Sequence, residues 1–172
     1  FYYMNTDGYK LEKAKEYMKE NKYSIAIEYL KKISDRKEYN ADIEKMGDAC
    51  FNAQDYDMAG EMYRLVDKKN NLLTEKAEQQ IEKYNYKKAL KYYVMAKDSK
   101  NIKKTAWQLA LKYMENRDYD KALSVCTKYG DEKMQHNVKK SKAGYYYIQK
   151  EYDKAITLFE EIGEDKLADK VK

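Results

Sequence analysis

The chain contains no proline, and only six glycines, two cysteines, one tryptophan and one histidine occur in its 172 residues. Without proline, and with little glycine, the strongest breakers of helix are gone, which suits a nearly all-helical chain. Cys50 and Cys126 stand too far apart in sequence for a zinc-binding spacing, so neither a metal site nor a disulfide framework is indicated. Both fall where the pattern described below reserves buried positions, and free thiols packed as small hydrophobes are expected. No run of 18 apolar residues exists, which excludes a membrane span by an apolar helix. The sequence starts at Phe1, not at an initiator methionine, and reads as trimmed. With no signal or membrane segment visible, a cytoplasmic location is the expectation.

What is present is charge and tyrosine. Charged residues make up 38% of the chain and 20 residues are tyrosine. Heavy solvation beside large amphipathic packing groups fits an elongated stack, which exposes more surface per residue than a sphere. Charge is unevenly spread: residues 1–86 hold 15 Lys and Arg against 17 Asp and Glu, and residues 87–172 hold 20 against 13. A positive second half is compatible with an acidic partner.

A Tyr-x-x-Ala phrase returns five times, at Tyr23/Ala26, Tyr56/Ala59, Tyr86/Ala89, Tyr119/Ala122 and Tyr152/Ala155, with alanines spaced 33, 30, 33 and 33 residues apart. Twelve residues before each alanine stands another small residue: Ala14, Gly47, Ala77, Ala110 and Ala143. A fixed period of this size predicts a stack of similar helical units, each with two helices that cross at the small residues. In the fourth unit Ala106, Leu109, Ala110 and Tyr113 share one face, followed by a polar break at Asn116-Arg117-Asp118. Tyr119, Ala122, Leu123 and Cys126 then share a face of the second helix. Its stop is expected at Tyr129-Gly130-Asp131, with Gly130 left-handed and Asp131 capping the next helix. Gly163-Glu164 is the matching stop of the fifth unit.

The units run over roughly residues 9–34, 40–67, 70–97, 101–130 and 134–163, and residues 164–172 read as the start of a capping or further helix. The three residues missing between Ala59 and Ala89 are expected in the connection around Val66–Leu73. The third unit's first helix is the poorest, with Lys76, Gln79 and Gln80 at or beside apolar positions, so the array is expected to be weakest or most bent there. Phe1-Tyr2-Tyr3-Met4 is too apolar for a free tail and is expected to pack on the first unit or on an upstream one.

The small residue, aromatic, alanine and large residue of each unit (Gly47, Tyr56, Ala59 and Tyr63; Ala143, Tyr152, Ala155 and Phe159) make the chain resemble the tetratricopeptide repeat family from about Tyr9 to Ile162. It departs from that family in lacking the proline that usually ends a unit and in its period, since the family repeat is about 34 residues. The resemblance implies an all-α, right-handed superhelical solenoid of about five antiparallel helix pairs, with first helices lining a concave groove. Counting back 15, 11 and 8 residues from the alanine, the groove positions are Glu44, Asp48 and Phe51, then Thr74, Glu78 and Ile81. Trp107, Leu111 and Met114 follow, and then Lys140, Gly144 and Tyr147. The groove is thus expected to be acidic first, then apolar, aromatic and basic. The family's chaperone-binding clamp is absent, because its asparagine position is Lys15, Asp48, Glu78, Leu111 and Gly144 here.

Catalysis has little to stand on. His136 lies between Gln135 and Asn137 and reads as an exposed or capping histidine, and no phosphate loop, metal-ligand spacing or nucleophile motif occurs. No cofactor is expected and the chain is not expected to be an enzyme. The expected function is a scaffold that binds a peptide or helix of a partner protein, with Trp107 and Leu111 as an apolar step and Lys104 and Lys140 paired to a partner carboxylate. Gly144 and Tyr147 complete that face. Trp107 has a second reading, as packing against the neighbouring unit. The alternative function is RNA or polyanion binding by the basic half, where Lys103-Lys104, Lys139-Lys140, Lys142 and Lys150 interleave with Trp107 and Tyr145-Tyr146-Tyr147. Scarce arginine counts against it. Self-association through a terminal unit is the third reading.

Overall fold

A computed structural model of the chain describes residues 2–66 and 71–172. Among these residues the regular structure is all-α, with eleven α-helices, two short 3-10 turns and no strand. The helices pack in consecutive pairs, so the chain is an all-α helical repeat. It divides into two compact units, Phe1–Glu75 and Lys76–Lys172. In the first, α1 (Asp7–Lys19) pairs with α2 (Tyr23–Lys31) and α3 (Asn40–Asn52) with α4 (Tyr56–Leu65), while α2 also meets α4. The second holds α6 (Tyr86–Met95), α7 (Ser99–Glu115), α8 (Tyr119–Tyr129), α9 (Glu132–Ile148), α10 (Tyr152–Glu161) and α11 (Asp165–Val171). Each packs on the next, and α7 also lies against α9. The helix α5 (Leu72–Glu82) begins in the first unit and lies mostly in the second.

The small residues at the two repeat positions are buried in every pair, the nine alanines to 0% exposure and Gly47 with them. Close approach is most direct between α3 and α4: a Cβ at Gly47 would stand 2.6 Å from Cε1 of Tyr63. Tyr63 is itself buried and donates its hydroxyl to Asp48. The residue four positions after the repeat alanine is buried throughout, as Leu30, Tyr63, Tyr93, Cys126 and Phe159, and is large in all but Cys126. Around Ala110 and Ala122 the core takes in Tyr119, Cys126 and Val138, and around Ala143 and Ala155 it takes in Phe159 and Ala168.

The turns inside the pairs are identical in length. In all five, the first helix ends five residues after its small residue and the second begins on the repeat tyrosine, leaving three residues between. The middle one is left-handed each time: Asn21 (φ 58°), Gln54 (63°), Tyr84 (58°), Arg117 (62°) and Lys150 (62°). The third residue donates its N–H to a carbonyl five positions back, as in Asp55 to Cys50 at 3.0 Å and Asp118 to Tyr113 at 2.9 Å. This satisfies a carbonyl that the helix end leaves open, and the same residue is the N-cap of the next helix. Asp55 and Asp118 also accept the N–H of Met58 and Lys121 with their side chains. Such a turn needs no proline. Repeated use of residues other than glycine at φ near 60° leaves strain in the chain.

Gly130 departs from expectation: its φ is −102°, so it is not left-handed. Space explains it instead, because a Cβ there would meet Sδ of Met134 at 2.6 Å and the Cys126 carbonyl at 2.9 Å. Asp131 does cap the next helix, accepting from Met134 N at 2.8 Å, and Gly163 is left-handed with φ of 76°. In α5 only Ala77 is buried, in keeping with the polar residues noted there. The expected three-residue deletion falls largely on residues 67–70, outside the described residues. Residues 165–171 form a helix in the register of α7 and α9, with Ala168 buried and Lys166, Asp169 and Lys170 exposed. Tyr2, Tyr3 and Met4 are exposed, with Tyr3 edge-on to Tyr9 at 5.5 Å, while Phe1 lies outside the described residues.

Two substitutions separate these causes. Gly47→Ala should cost about 1–3 kcal/mol, because the buried Tyr63 ring has to move. Lys150→Gly should stabilise by about 0.5–1 kcal/mol, since relief of the left-handed strain exceeds the entropy glycine loses on folding. Urea unfolding of each beside wild type reads both signs.

Candidate interaction face

In the second unit the first helices α7 and α9 lie side by side, with α8 and α10 as their pair partners. Both run to 17 residues, and each carries four lysines and one glutamate. By contrast α3 carries Lys45 with Asp42, Glu44 and Asp48, and α5 carries Lys76 with three glutamates. The surplus of positive charge foreseen in the second half therefore falls on α7 and α9 together with α6, which carries Lys87, Lys88 and Lys91 and no acidic residue.

The six residues picked from the sequence all lie on these helices. Lys104 is exposed and Leu111 is 42% exposed. Trp107 is half-buried and packs, with Met114, against the core of Ala110, Tyr119, Ala122, Cys126 and Val138. Part of its ring therefore packs on a core shared by α7, α8 and α9. Lys140 is exposed and meets Glu164 at 3.3 Å. Gly144 has open space around it, with nothing within 4 Å of a Cβ built there. Tyr147 is 51% exposed and its ring lies 5.6 Å from that of Tyr152. Among the earlier positions, Phe51 is buried and edge-on to Tyr56 at 5.2 Å, so it belongs to packing, not to an open face. Asp48 is half-buried and takes the Tyr63 hydroxyl. Glu44, Thr74 and Ile81 are half-buried and Glu78 is exposed.

Several of the lysines are tied down. Lys103 reaches Asp131 at 2.6 Å, which fixes the N-cap of α9 to α7 and holds the Asp131 carboxyl below its ordinary range. The lone histidine is half-buried: His136 Nε2 donates to Glu164 Oε1 at 3.0 Å, an oxygen it shares with Lys140. Those two bonds, His136 first, lower the Glu164 pKa. They anchor the residue that precedes α11. Cys50 and Cys126 are buried free thiols; burial pushes the first up to about 11 and raises the second.

Four exposed apolar groups were missed, Ile25, Val94, Tyr84 and Ile148, of which the last two are the most open. Tyr84, 68% exposed, lies in the α5–α6 turn and lines an open depression of about 460 Å³ with Tyr86, Gln108, Leu111, Lys112 and Glu115. Ile148, 66% exposed, ends α9. Both were visible as exceptions within the repeat: the Tyr84 position is Asn21, Gln54, Arg117 and Lys150 elsewhere, and the Ile148 position is Lys19, Asn52, Glu82 and Glu115. The aromatic run expected to interleave with lysine is mostly inward. Tyr145 packs on the core under Arg117, 4.7 Å above its ring, and Tyr146 packs beside Phe159 with Lys142 and Lys154 over it.

Among the described residues no group of three His, Cys, Asp or Glu is placed to hold a metal ion. Nor is any helix there long and apolar enough to cross a membrane. No protein-family model and no curated protein matches the chain.

A pH dependence follows from Glu164. Its folded-state pKa lies below the ordinary value, so its contribution is present above the ordinary carboxylate range and is lost as pH falls through the depressed value. Amide exchange in α11 should therefore quicken on acidification within that window. Glu164→Gln should quicken it already at neutral pH and add little at the acid end. Equal exchange in both proteins at neutral pH would remove the anchor.

Proposed function

We propose that this chain is a non-enzymatic scaffold of the tetratricopeptide-repeat type, which binds a peptide or helix of a partner protein on the face of α7 and α9. The observation that carries this reading is the pair of large apolar residues left exposed on adjoining first helices, Leu111 and Tyr147, beside the open Gly144. Exposed aromatic and aliphatic groups flanked by charge have the composition of a protein interface with a polar rim. Trp107 supports the face from beneath and helps to set α7 against α9.

The RNA or polyanion reading is favoured by one observation, the lysine surplus of α7 and α9. Stacking of bases would need exposed aromatic rings, and of the group near those lysines only Tyr147 is largely exposed. The protein reading therefore accounts for more of the surface.

The test is a pull-down from a lysate of the source cells with and without nuclease, using wild type and the Leu111→Ala/Tyr147→Ala double variant. A protein partner that survives nuclease and is lost in the double variant is the expected result, with about 2 kcal/mol or more of binding removed. Capture that vanishes with nuclease, or that ignores the double variant, would overturn it. Trp107→Ala is the control for fold: it should lower thermal stability, which the double variant should leave nearly unchanged.

A further inference from the structure

The face of α7 and α9 is divided along its length into a charged end and an apolar end. Lys100, Lys104, Trp107 and Leu111 are spaced by four, three and four residues, which aligns them on one side of α7. One repeat later Lys133, Asn137, Lys140 and Gly144 occupy the same register on α9, followed by Tyr147. The two helices pack together, which puts the same repeat positions on adjoining helices. At the charged end Lys100, Lys104 and Lys133 are exposed, and no hydrogen bond or ion pair among the described residues engages them. Their neighbours Lys103 and Lys140 are bound to Asp131 and Glu164. Lys100 and Lys133 act only at longer range on Asp98 and Asp131, whose carboxyls they help to hold below the ordinary range. With four lysines to one glutamate on each helix, the face keeps a positive potential that a line of carboxylates would satisfy. At the other end, Gly144 leaves bare helix backbone one turn before Tyr147 and in register with Leu111.

We infer that the partner segment is acidic and amphipathic. Its carboxylates lie along Lys100, Lys104 and Lys133, and its apolar side chains cover Leu111, Gly144 and Tyr147. This rests on the scaffold reading above and specifies its ligand. Charge complementarity selects the acidic class, and the aliphatic Leu111 with the bare Gly144 fits a side chain better than a nucleobase. Neither α7 nor α9 carries an arginine, the residue best shaped for phosphate.

Three fluorescein-labelled probes test it by anisotropy at low and moderate salt. They are the peptide Glu-Glu-Asp-Glu-Ala-Leu-Ala-Ala-Leu-Phe, the same peptide with Gln and Asn replacing its acids, and decauridylate RNA. The acidic peptide should bind, and its affinity should fall about tenfold or more both in the neutral peptide and in the Lys100→Gln/Lys104→Gln/Lys133→Gln variant. Gly144→Gln should weaken it several-fold by filling the apolar end. The three lysines are exposed and the half-buried Gly144 has open space for a side chain, and circular dichroism of each variant checks that the fold is retained. Equal binding of the neutral peptide, or indifference to the lysine variant, would overturn the inference. So would RNA binding that falls with the lysines and ignores Gly144→Gln, or no binding of any probe. If the pull-down yields a nuclease-resistant partner while the acidic peptide fails, the acidic class is wrong and the scaffold reading stands. If both fail, the face itself is misassigned.

Discussion

Everything in this chain follows from how closely two helices can approach. With alanine or glycine at one position on each helix, twelve residues apart, the backbones of a pair come into contact and the larger residue four positions on is drawn inward. That residue changes from Leu30 to Tyr63 to Tyr93 to Cys126 to Phe159, while the small residues hardly vary. Gly47 shows why: opposite the Tyr63 ring even a methyl group has no room. Size is traded across the pair, as close-packed interiors require.

Close pairing in turn fixes the turns. Only three residues separate the helices in each pair, and one of them is left-handed to reverse the chain in that distance. The turn closes helix ends with backbone bonds and, at Asp55 and Asp118, with side-chain caps. Identical turns give every pair the same offset between its two helices. On the adjoining helices α7 and α9, Leu111 and Gly144 stand at the same repeat position, as do Lys100 and Lys133.

The fold was largely legible because a period of about 33 residues is a global signal that survives variation at single sites. Local chemistry was less so. Gly130 looked like a left-handed stop, yet glycine answers equally to crowding, and sequence does not separate the two causes. Phe51 and Tyr147 occupy the same repeat position, one buried and one half exposed, because that position depends on what packs beyond the pair. The partners of Lys103 and Lys140 come from the capping residues Asp131 and Glu164 of following helices, contacts with no signature in the lysines themselves. Tyr84 and Ile148 were readable as exceptions within their repeat positions, since each replaces a run of polar residues with an apolar one.

The most direct measurement is denaturant unfolding of Ala122→Leu beside Ser124→Leu. Both add the same side chain to α8, one at the buried crossing and one at an exposed position two residues away. Close approach of the helices predicts a loss of about 1–3 kcal/mol for Ala122→Leu and almost none for Ser124→Leu. Equal stability of the two variants would contradict the small-residue crossing as the constraint that builds the repeat.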